Sequence, residues 1–173
     1  DWSKVREKII NKNLFQTRTG SSLERICRET ISRLKHLSFE QLEMVNEGSM
    51  QEQLQMLWIA VCKRYSFIYE FAIEVIREKF LIMNYALTED DYKIFFDTKA
   101  EWHEELEKLK DSTKKKLKQV LFRILREAEI ISEANIILPT ILSNKMAKML
   151  LKDKSGAYRV LPVSNIDLKE WAK

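Results

Sequence analysis

Only three glycines and two prolines interrupt this sequence of 173 residues. Glycine and proline make most tight turns, and all-β folds need a turn about every 8–12 residues. Leucine, isoleucine, lysine and glutamate are abundant instead, and this composition favours helices. The scarcity of turn residues therefore predicts an all-α fold. At 20.6 kDa the chain is long enough to bury one sizeable core.

Apolar periodicity and capping patterns predict where the helices begin. The first helix is predicted over 2–12, and Ser21 with Glu24 has the spacing of a capping box that opens a second helix over 22–36. Capping patterns also mark helix starts at Ser38, Ser49 and Thr88.

The middle of the chain is predicted to form the core. Residues 54–83 are apolar around most of the helical circumference, which is typical of central buried helices, and a bend is predicted at Tyr65–Ser66. Later helices are predicted over 113–129, 143–151 and 165–172, and Tyr158 to Val163 is predicted to be extended.

The prediction is thus a single-domain helical bundle of seven to nine helices. Residues 1–36 form a helix-turn-helix-like N-terminal unit, 37–151 form the helical core, and 152–173 form a short, partly extended C-terminal tail.

Charge is segregated along the chain. Residues 1–36 hold nine Lys/Arg and four Asp/Glu, a net charge of +5, and residues 108–126 hold eight and one, a net of +7. Residues 37–107 hold six and fifteen, a net of −9. Two basic blocks flanking an acidic middle indicate an anionic partner.

The second basic block predicts a phosphate-binding helix. With a start at Thr113, the lysines Lys114, Lys115 and Lys116 stand in the first turn, where they oppose the helix macrodipole. Exchanging Lys115 and Lys116 for glutamate is therefore expected to stabilise the fold and weaken phosphate binding. Lys118, Phe122 and Arg123 are placed on or near the outer face, with Phe122 expected to pack against a neighbouring helix, and Leu117 is placed on the core face. The alternative is an ordinary solvated charged face.

The first basic block predicts a second contact. Its two helices and connecting turn are similar to a helix-turn-helix, in which the start of the second helix approaches a DNA groove. Two helices joined by a short turn also occur in every bundle, so the pattern is not specific. The candidate residues are Gln16, Arg18, Thr19, Ser21, Ser22, Arg25 and Arg28.

No catalytic or metal-binding pattern is present in the sequence. The two histidines, His36 and His103, lack partners at metal-ligand spacing, and no glycine loop could hold a nucleotide. Cys27 and Cys62 fall on apolar helix faces and are predicted to be buried free thiols of a cytoplasmic protein. The longest run without charge, 134–144, has eleven residues, whereas a membrane span needs about 20.

Four stretches in order along nearly the whole chain resemble the BrxA family of bacteriophage-exclusion (BREX) defence systems. They are NLFQTRTGSSLERICRETISRL, RYSFIYEFAIEVIREKFL, DSTKKKLKQVLFRILREAEII and ILPTILS. The family pattern falls on Thr113, Lys116, Leu117, Val120, Leu121, Phe122, Ile124 or Leu125, Arg126 and Glu127. Its basic N-terminal helix falls on Arg18 to Arg33, where Glu24 and Glu29 dilute the charge.

The resemblance implies a fold similar to the antitermination factor NusB, no enzymatic activity, no cofactor and double-stranded DNA as the partner. Other BREX components are further candidate partners. Two alternatives remain open: RNA binding, because basic all-α surfaces of NusB-like folds contact RNA, and an interaction scaffold that docks on an acidic protein.

Overall fold

The computed structural model describes residues 1–173, and the predicted all-α class is confirmed. In chain order the helices are α1 (Trp2–Lys12), α2 (Gly20–Leu34), α3 (Phe39–Glu47), α4 (Met50–Arg64), α5 (Ser66–Phe71, continued by a π-helical turn, Ala72–Arg77, and by Glu78–Leu81), α6 (Glu89–Ala100), the single turn α7 (Glu104–Glu107), α8 (Asp111–Glu127), α9 (Asn144–Lys152) and α10 (Asn165–Trp171). β-Pairing is limited to two isolated bridges, Ala86 with Ile136 and Ile131 with Ile137.

Three predicted helix starts are confirmed by their capping hydrogen bonds. Ser38, Ser49 and Thr88 are N-caps, and each completes a capping box with the side chain three residues later. The predicted box at Ser21 is wrong, because Thr19 caps α2 and its hydroxyl accepts from the Ser22 N–H at 3.3 Å. α2 consequently begins at Gly20 and ends at Leu34, two residues earlier than predicted at each end.

The core is centred on α4 and α5, as predicted. Trp58 and Ile59 of α4 and Phe71 and Ile76 of α5 are almost fully buried. The bend between these helices falls at Tyr65, which has extended backbone. A cluster of aromatic side chains joins α5 to α6, and the centroids of contacting rings lie 5.1–6.5 Å apart. Its members are Phe67, Phe71, Tyr92, Phe95 and Phe96. Such contacts stabilise beyond simple burial.

The C-terminal segment is more folded than predicted. Residues Ala157–Val160 form a 3-10 helix, and extended backbone begins only at Leu161. The indole N–H of Trp58 donates to the Val160 carbonyl at 2.8 Å, and Arg77 donates to the Val163 carbonyl at 3.0 Å. These tertiary hydrogen bonds fix the C-terminal segment against α4 and α5. They could not be predicted from the composition of the segment, whose β-branched residues favoured an extended conformation.

The N-terminal helix lies outermost. α1 has no buried residue and packs chiefly on α2, whereas Leu23, Cys27 and Ile31 of α2 are buried. Both cysteines are buried free thiols, as predicted. Burial raises the pKa of the Cys62 thiol well above its ordinary value, so this group stays protonated and unreactive. No helix has both the length and the apolar character needed to cross a bilayer.

Candidate nucleic-acid interface

A turn organised by Asn13 joins α1 to α2. Asn13 ends α1 in the left-handed conformation, and its side-chain carbonyl accepts from the Thr17 N–H at 3.0 Å. Gln16 is also left-handed, at φ 49°, and is exposed at the tip of the turn. Thr19 then caps α2, with its hydroxyl 2.9 Å from that of Ser22. Thr19 and Ser22 therefore serve the helix start, and Gln16 is free to meet a ligand.

The α1–α2 hairpin carries a cluster of unpaired positive charge. Of its eight basic residues, Arg33 is half-buried and seven are exposed, and none of these seven has a carboxylate oxygen within 4 Å. Three of them, Arg18, Arg25 and Arg28, were predicted as site residues, and Ser21 is exposed beside them. Sequence reasoning missed the other four, on α1: Lys4, Arg6, Lys8 and Lys12. Their absence from any ion pair was not visible in the pattern, although the +5 block included them.

The basic helix α8 begins two residues earlier than predicted. Asp111 is its first residue, so Lys114, Lys115 and Lys116 lie in the second turn and not the first. The N–H of Lys114 is already bonded to the Lys110 carbonyl, at 3.0 Å. The premise that these lysines oppose the macrodipole from the first turn is therefore wrong: the first turn holds Asp111, as the dipole favours, and the last turn holds both Arg126 and Glu127.

Two of the predicted lysines are held by α6. Lys118 Nζ lies 2.9 Å from a carboxylate oxygen of Glu89, and Lys114 Nζ lies 5.5 Å from the centroid of the Phe96 ring. Together with Lys115 they line a groove of about 280 Å³ between α6 and α8. Three acids of α6 line the same groove: Glu89, Asp90 and Asp97. Part of the α8 charge is thus compensated from a distant part of the sequence.

The outer stripe of α8 stays open to solvent. Lys115 and Lys116 are exposed and unpaired. Arg123 is also exposed, and its Nε lies 3.9 Å from Glu127, a long and weak pair. Leu117, predicted on the core face, is 38% exposed, whereas Phe122, placed on or near the outer face but expected to pack against a neighbouring helix, is buried.

A third group of cations lies where α2 meets the α4–α5 bend. The guanidinium carbons of Arg33 and Arg64 lie 5.5 and 5.2 Å from the centroid of the Tyr65 ring. Arg33 also lines a groove of about 240 Å³ with Glu127 of α8, the partner of Arg123. The α2 and α8 surfaces therefore meet at Arg33. Nothing in the sequence pattern indicated that these arginines share one tyrosine.

The charged groups form no metal site, since no three His, Cys, Asp or Glu side chains lie close enough to hold an ion. His103 is exposed with Nδ1 3.5 Å from Glu105, and His36 is exposed near the start of α3. The chemistry that this arrangement offers is anion recognition by exposed cations.

Comparison with known proteins gives the family. A family model named BrxA matches residues 1–154. The chain belongs to the BrxA family. A relative from Bacillus cereus (strain H3081.97), a BREX protein BrxA, is 35% identical over 124 residues. The match spans 72% of this chain and 62% of that protein, less than two thirds of the relative's length.

The BrxA fold is also found in a solved structure. An uncharacterized protein from Magnetospirillum magneticum matches with a TM-score of 0.73 at 24% identity, over 92% of this chain and 84% of that one. This likeness shows a shared fold alone. The BrxA family match ends at residue 154, although buried residues Ala157, Val160, Leu161 and Leu168 complete the core beyond it.

Proposed function

We propose that the protein is a double-stranded-DNA-binding accessory component of a BREX phage-defence system, that it works in the cytoplasm, and that it acts by phosphate contacts and not by catalysis. Membership of the BrxA family and the name of the Bacillus cereus relative support the defence role. The observation that carries the DNA-binding part is the set of seven exposed, unpaired cations on the α1–α2 hairpin. Such a surface suits a polyanion because each phosphate contact releases a condensed counterion.

The geometry favours backbone contacts over base reading. The hairpin presents mainly lysine and arginine, and the hydroxyls of Thr19 and Ser22 are engaged in capping α2. Phosphate contacts position a protein on a duplex without reporting its sequence. Binding is therefore expected to be weakly sequence-selective.

A salt-dependent anisotropy titration with unrelated DNA duplexes tests the proposal. Log affinity should fall linearly with log salt, with a slope near −0.9 for each phosphate contact. Replacing Arg18, Arg25 and Arg28 together by alanine should weaken binding and reduce the slope by about three units. The core stripe of α2 is untouched, so helix content should not change.

The matched control removes three exposed lysines from α9 and α10: Lys145, Lys148 and Lys169. It makes the same change in net charge but is expected to leave the slope nearly as it was. If both triple variants lost the same DNA affinity, the effect would be explained by the change in net charge alone. A salt-resistant site that rejects unrelated duplexes, or preferential binding of single-stranded RNA in competition, would overturn the proposal.

A further inference from the structure

We propose that Arg33 and Arg64, both held over the ring of a shared stacking partner, Tyr65, form a phosphate clamp for the DNA backbone. This inference rests on the proposed function and adds a specific contact to it, at a place where the sequence gave no candidate.

Both guanidinium groups are held before any ligand arrives. Each lies over the Tyr65 ring, at 5.5 Å for Arg33 and 5.2 Å for Arg64. Their Nε atoms are also fixed: Arg33 Nε donates to the Tyr65 hydroxyl at 3.4 Å, and Arg64 Nε donates to Ser32 Oγ at 2.7 Å. An arginine ordered in this way loses less side-chain entropy on binding.

The terminal amino groups of both arginines remain available. Every side-chain hydrogen bond that Arg33 and Arg64 make within the protein uses Nε, and neither forms an ion pair. The planar guanidinium presents its remaining N–H donors in a fork that matches the oxygens of a phosphate. Two forks fixed to one ring offer several donors to one or two neighbouring phosphates.

Tyr65 is itself held in place by Glu29. The tyrosine hydroxyl donates to a Glu29 carboxylate oxygen at 2.7 Å. This hydrogen bond lowers the pKa of Glu29, and Arg33, Arg28 and Arg64 lower it further. Glu29 is thus an anion at neutral pH among three cations, which leaves a net charge of +2 at the site. The sequence indicated Glu29 only as a residue that dilutes the basic charge, whereas in the structure it holds the Tyr65 ring in place.

The clamp continues the basic surface of α2. Arg28 and Arg25 lie one and two turns before Ser32 on α2. On its other side, Arg33 lines a mostly apolar groove that also holds Glu127 of α8. A duplex backbone lying along α2 would reach Arg33 and Arg64 after Arg25 and Arg28. A row of phosphates is favoured over a single protein carboxylate because these cations follow one another along α2.

The decisive variant is Arg33→Lys with Arg64→Lys. It keeps both charges but removes the fork and weakens the stack, so DNA affinity should fall about tenfold while the salt slope changes by less than one unit. The matched control, Arg159→Lys, makes the same exchange at an exposed arginine that stacks on no aromatic ring and lies outside the proposed DNA surface, and it should alter affinity less than about twofold.

A second variant tests the positioning without changing any charge. Ser32→Ala removes the acceptor for Arg64 Nε and should weaken binding about two- to fivefold, with helix content and thermal midpoint unchanged. The assay is anisotropy with one duplex, at a temperature where each variant is folded.

The outcomes separate the two proposals. If the variant Arg33→Lys with Arg64→Lys and the variant Ser32→Ala bind DNA like the wild type, while the triple variant of Arg18, Arg25 and Arg28 binds more weakly, the clamp proposal is wrong and the proposed function stands. If the variant Arg33→Lys with Arg64→Lys loses affinity for single-stranded RNA but not for duplex DNA, the two arginines do not contact DNA and the clamp proposal is wrong. If the wild-type protein binds no duplex at all, both proposals fail.

Discussion

Lys118 Nζ on α8 lies 2.9 Å from a carboxylate oxygen of Glu89 on α6, 29 positions earlier in the sequence. The pair places the acidic middle of the chain against the basic helix that follows it. Glu89, Asp90 and Asp97 line one groove with Lys114, Lys115 and Lys118. The strongest basic block of the sequence is therefore partly neutralised by an ion pair in the fold, whereas the weaker N-terminal block forms no ion pair.

Removing the acids of this groove should strengthen DNA binding. In Glu89→Gln with Asp97→Asn, Lys118 loses its partner and becomes available to phosphates, so affinity should rise about two- to fivefold and the salt slope should steepen by up to about one unit. The control, Glu40→Gln with Glu43→Gln on exposed α3, makes the same change in net charge. Equal gains from both pairs in anisotropy titrations would mean that only total charge matters.

Exchanging Lys115 and Lys116 for glutamate should not stabilise the protein. Both lysines lie in the second turn of α8, where the macrodipole has little effect, and a carboxylate at position 115 would stand four residues after Asp111. The variant should lose roughly 0.2–0.5 kcal/mol at low salt, because like charges at that spacing repel. Differential scanning fluorimetry checks the sign. A midpoint several degrees above the wild type would contradict the observed helix start.

The affinity of this variant distinguishes the two basic surfaces. Lys115 and Lys116 are exposed, so some loss of DNA binding is expected. The loss for each charge removed should be smaller than in the variant of Arg18, Arg25 and Arg28, since α6 already lowers the potential around α8. A larger loss would make α8 the principal contact.

The sequence predicts helix starts well wherever the signal is local. The capping boxes at Ser38 and Ser49 involve residues three apart and form as predicted, and the helix predicted to start at Thr88 does start there, with a capping box to Asp91. The start of α8 was misplaced because Lys110, its N-cap, makes no side-chain capping bond and leaves no pattern to find. The all-α fold class and the buried faces of the helices could be predicted, since they depend only on composition and on the spacing of apolar residues.

The candidate site was only partly predictable, because its electrostatics depend on contacts between distant residues. The exposure of Arg18, Arg25 and Arg28 follows from the helical period of α2. The pairing of Lys118 with Glu89 and the stacking of two arginines on Tyr65 require the packing of α6 on α8 and of α2 on α4. Periodicity reports which face of a helix is buried but not which helix covers it.

Arg77 is a buried cation that joins α5 to the C-terminal segment. It is 5% exposed, and it donates to the Val163 carbonyl at 3.0 Å and to Asn165 Oδ1 at 2.8 Å. Its guanidinium also lies 5.7 Å from the Tyr158 ring centroid. Burial lowers the pKa of Arg77, but the group stays charged at neutral pH because an arginine pKa starts far above 7.

Replacing Arg77 by methionine should therefore destabilise the fold by about 1–3 kcal/mol. The substitution leaves the buried Val163 carbonyl without its donor, which costs about that much, whereas Oδ1 of the exposed Asn165 can be hydrated. Urea unfolding followed by tryptophan fluorescence measures the loss. Arg159→Met, at an exposed position of the same segment, should change stability by less than about 0.5 kcal/mol. Equal stability of the two variants would show that the C-terminal segment contributes little to the core.

Asp153 ties the end of α9 to α3 and α4. Its carboxylate accepts from Gln41 Nε2 at 2.8 Å and from Lys63 Nζ at 2.9 Å, and Lys63 also donates to Gln41 Oε1 at 3.0 Å. Burial by itself would raise the pKa of Asp153. Hydrogen bonds from Ser155 and Lys63, with that from Gln41, outweigh burial and hold the pKa well below its usual range.

A depressed pKa in the folded state makes this contribution dependent on pH. The stabilisation is fully present above the unfolded pKa of an aspartate, about 3.9, and is lost as pH falls through the lower folded value. Asp153→Asn should therefore cost about 1–2 kcal/mol at pH 6, because Lys63 keeps its charge but loses its anion. The cost should shrink steadily below about pH 4, because the unfolded wild-type chain then binds a proton at Asp153 whereas the folded network stays ionised until the lower folded pKa is reached.

Urea midpoints of wild type and Asp153→Asn, measured side by side at several pH values from 6 down to 3, test this dependence. The exposed Glu170→Gln is the control, since its side chain makes no hydrogen bond to α3 or α4 and its stability difference should stay near zero throughout. A gap between wild type and Asp153→Asn that keeps its full size at pH 3 would mean that the carboxylate acts by shape and not by charge. If the stability difference between wild type and Asp153→Asn widened on acidification, the dependence on pH would have the opposite sign. The network around Lys63 would then be held by Gln41 alone.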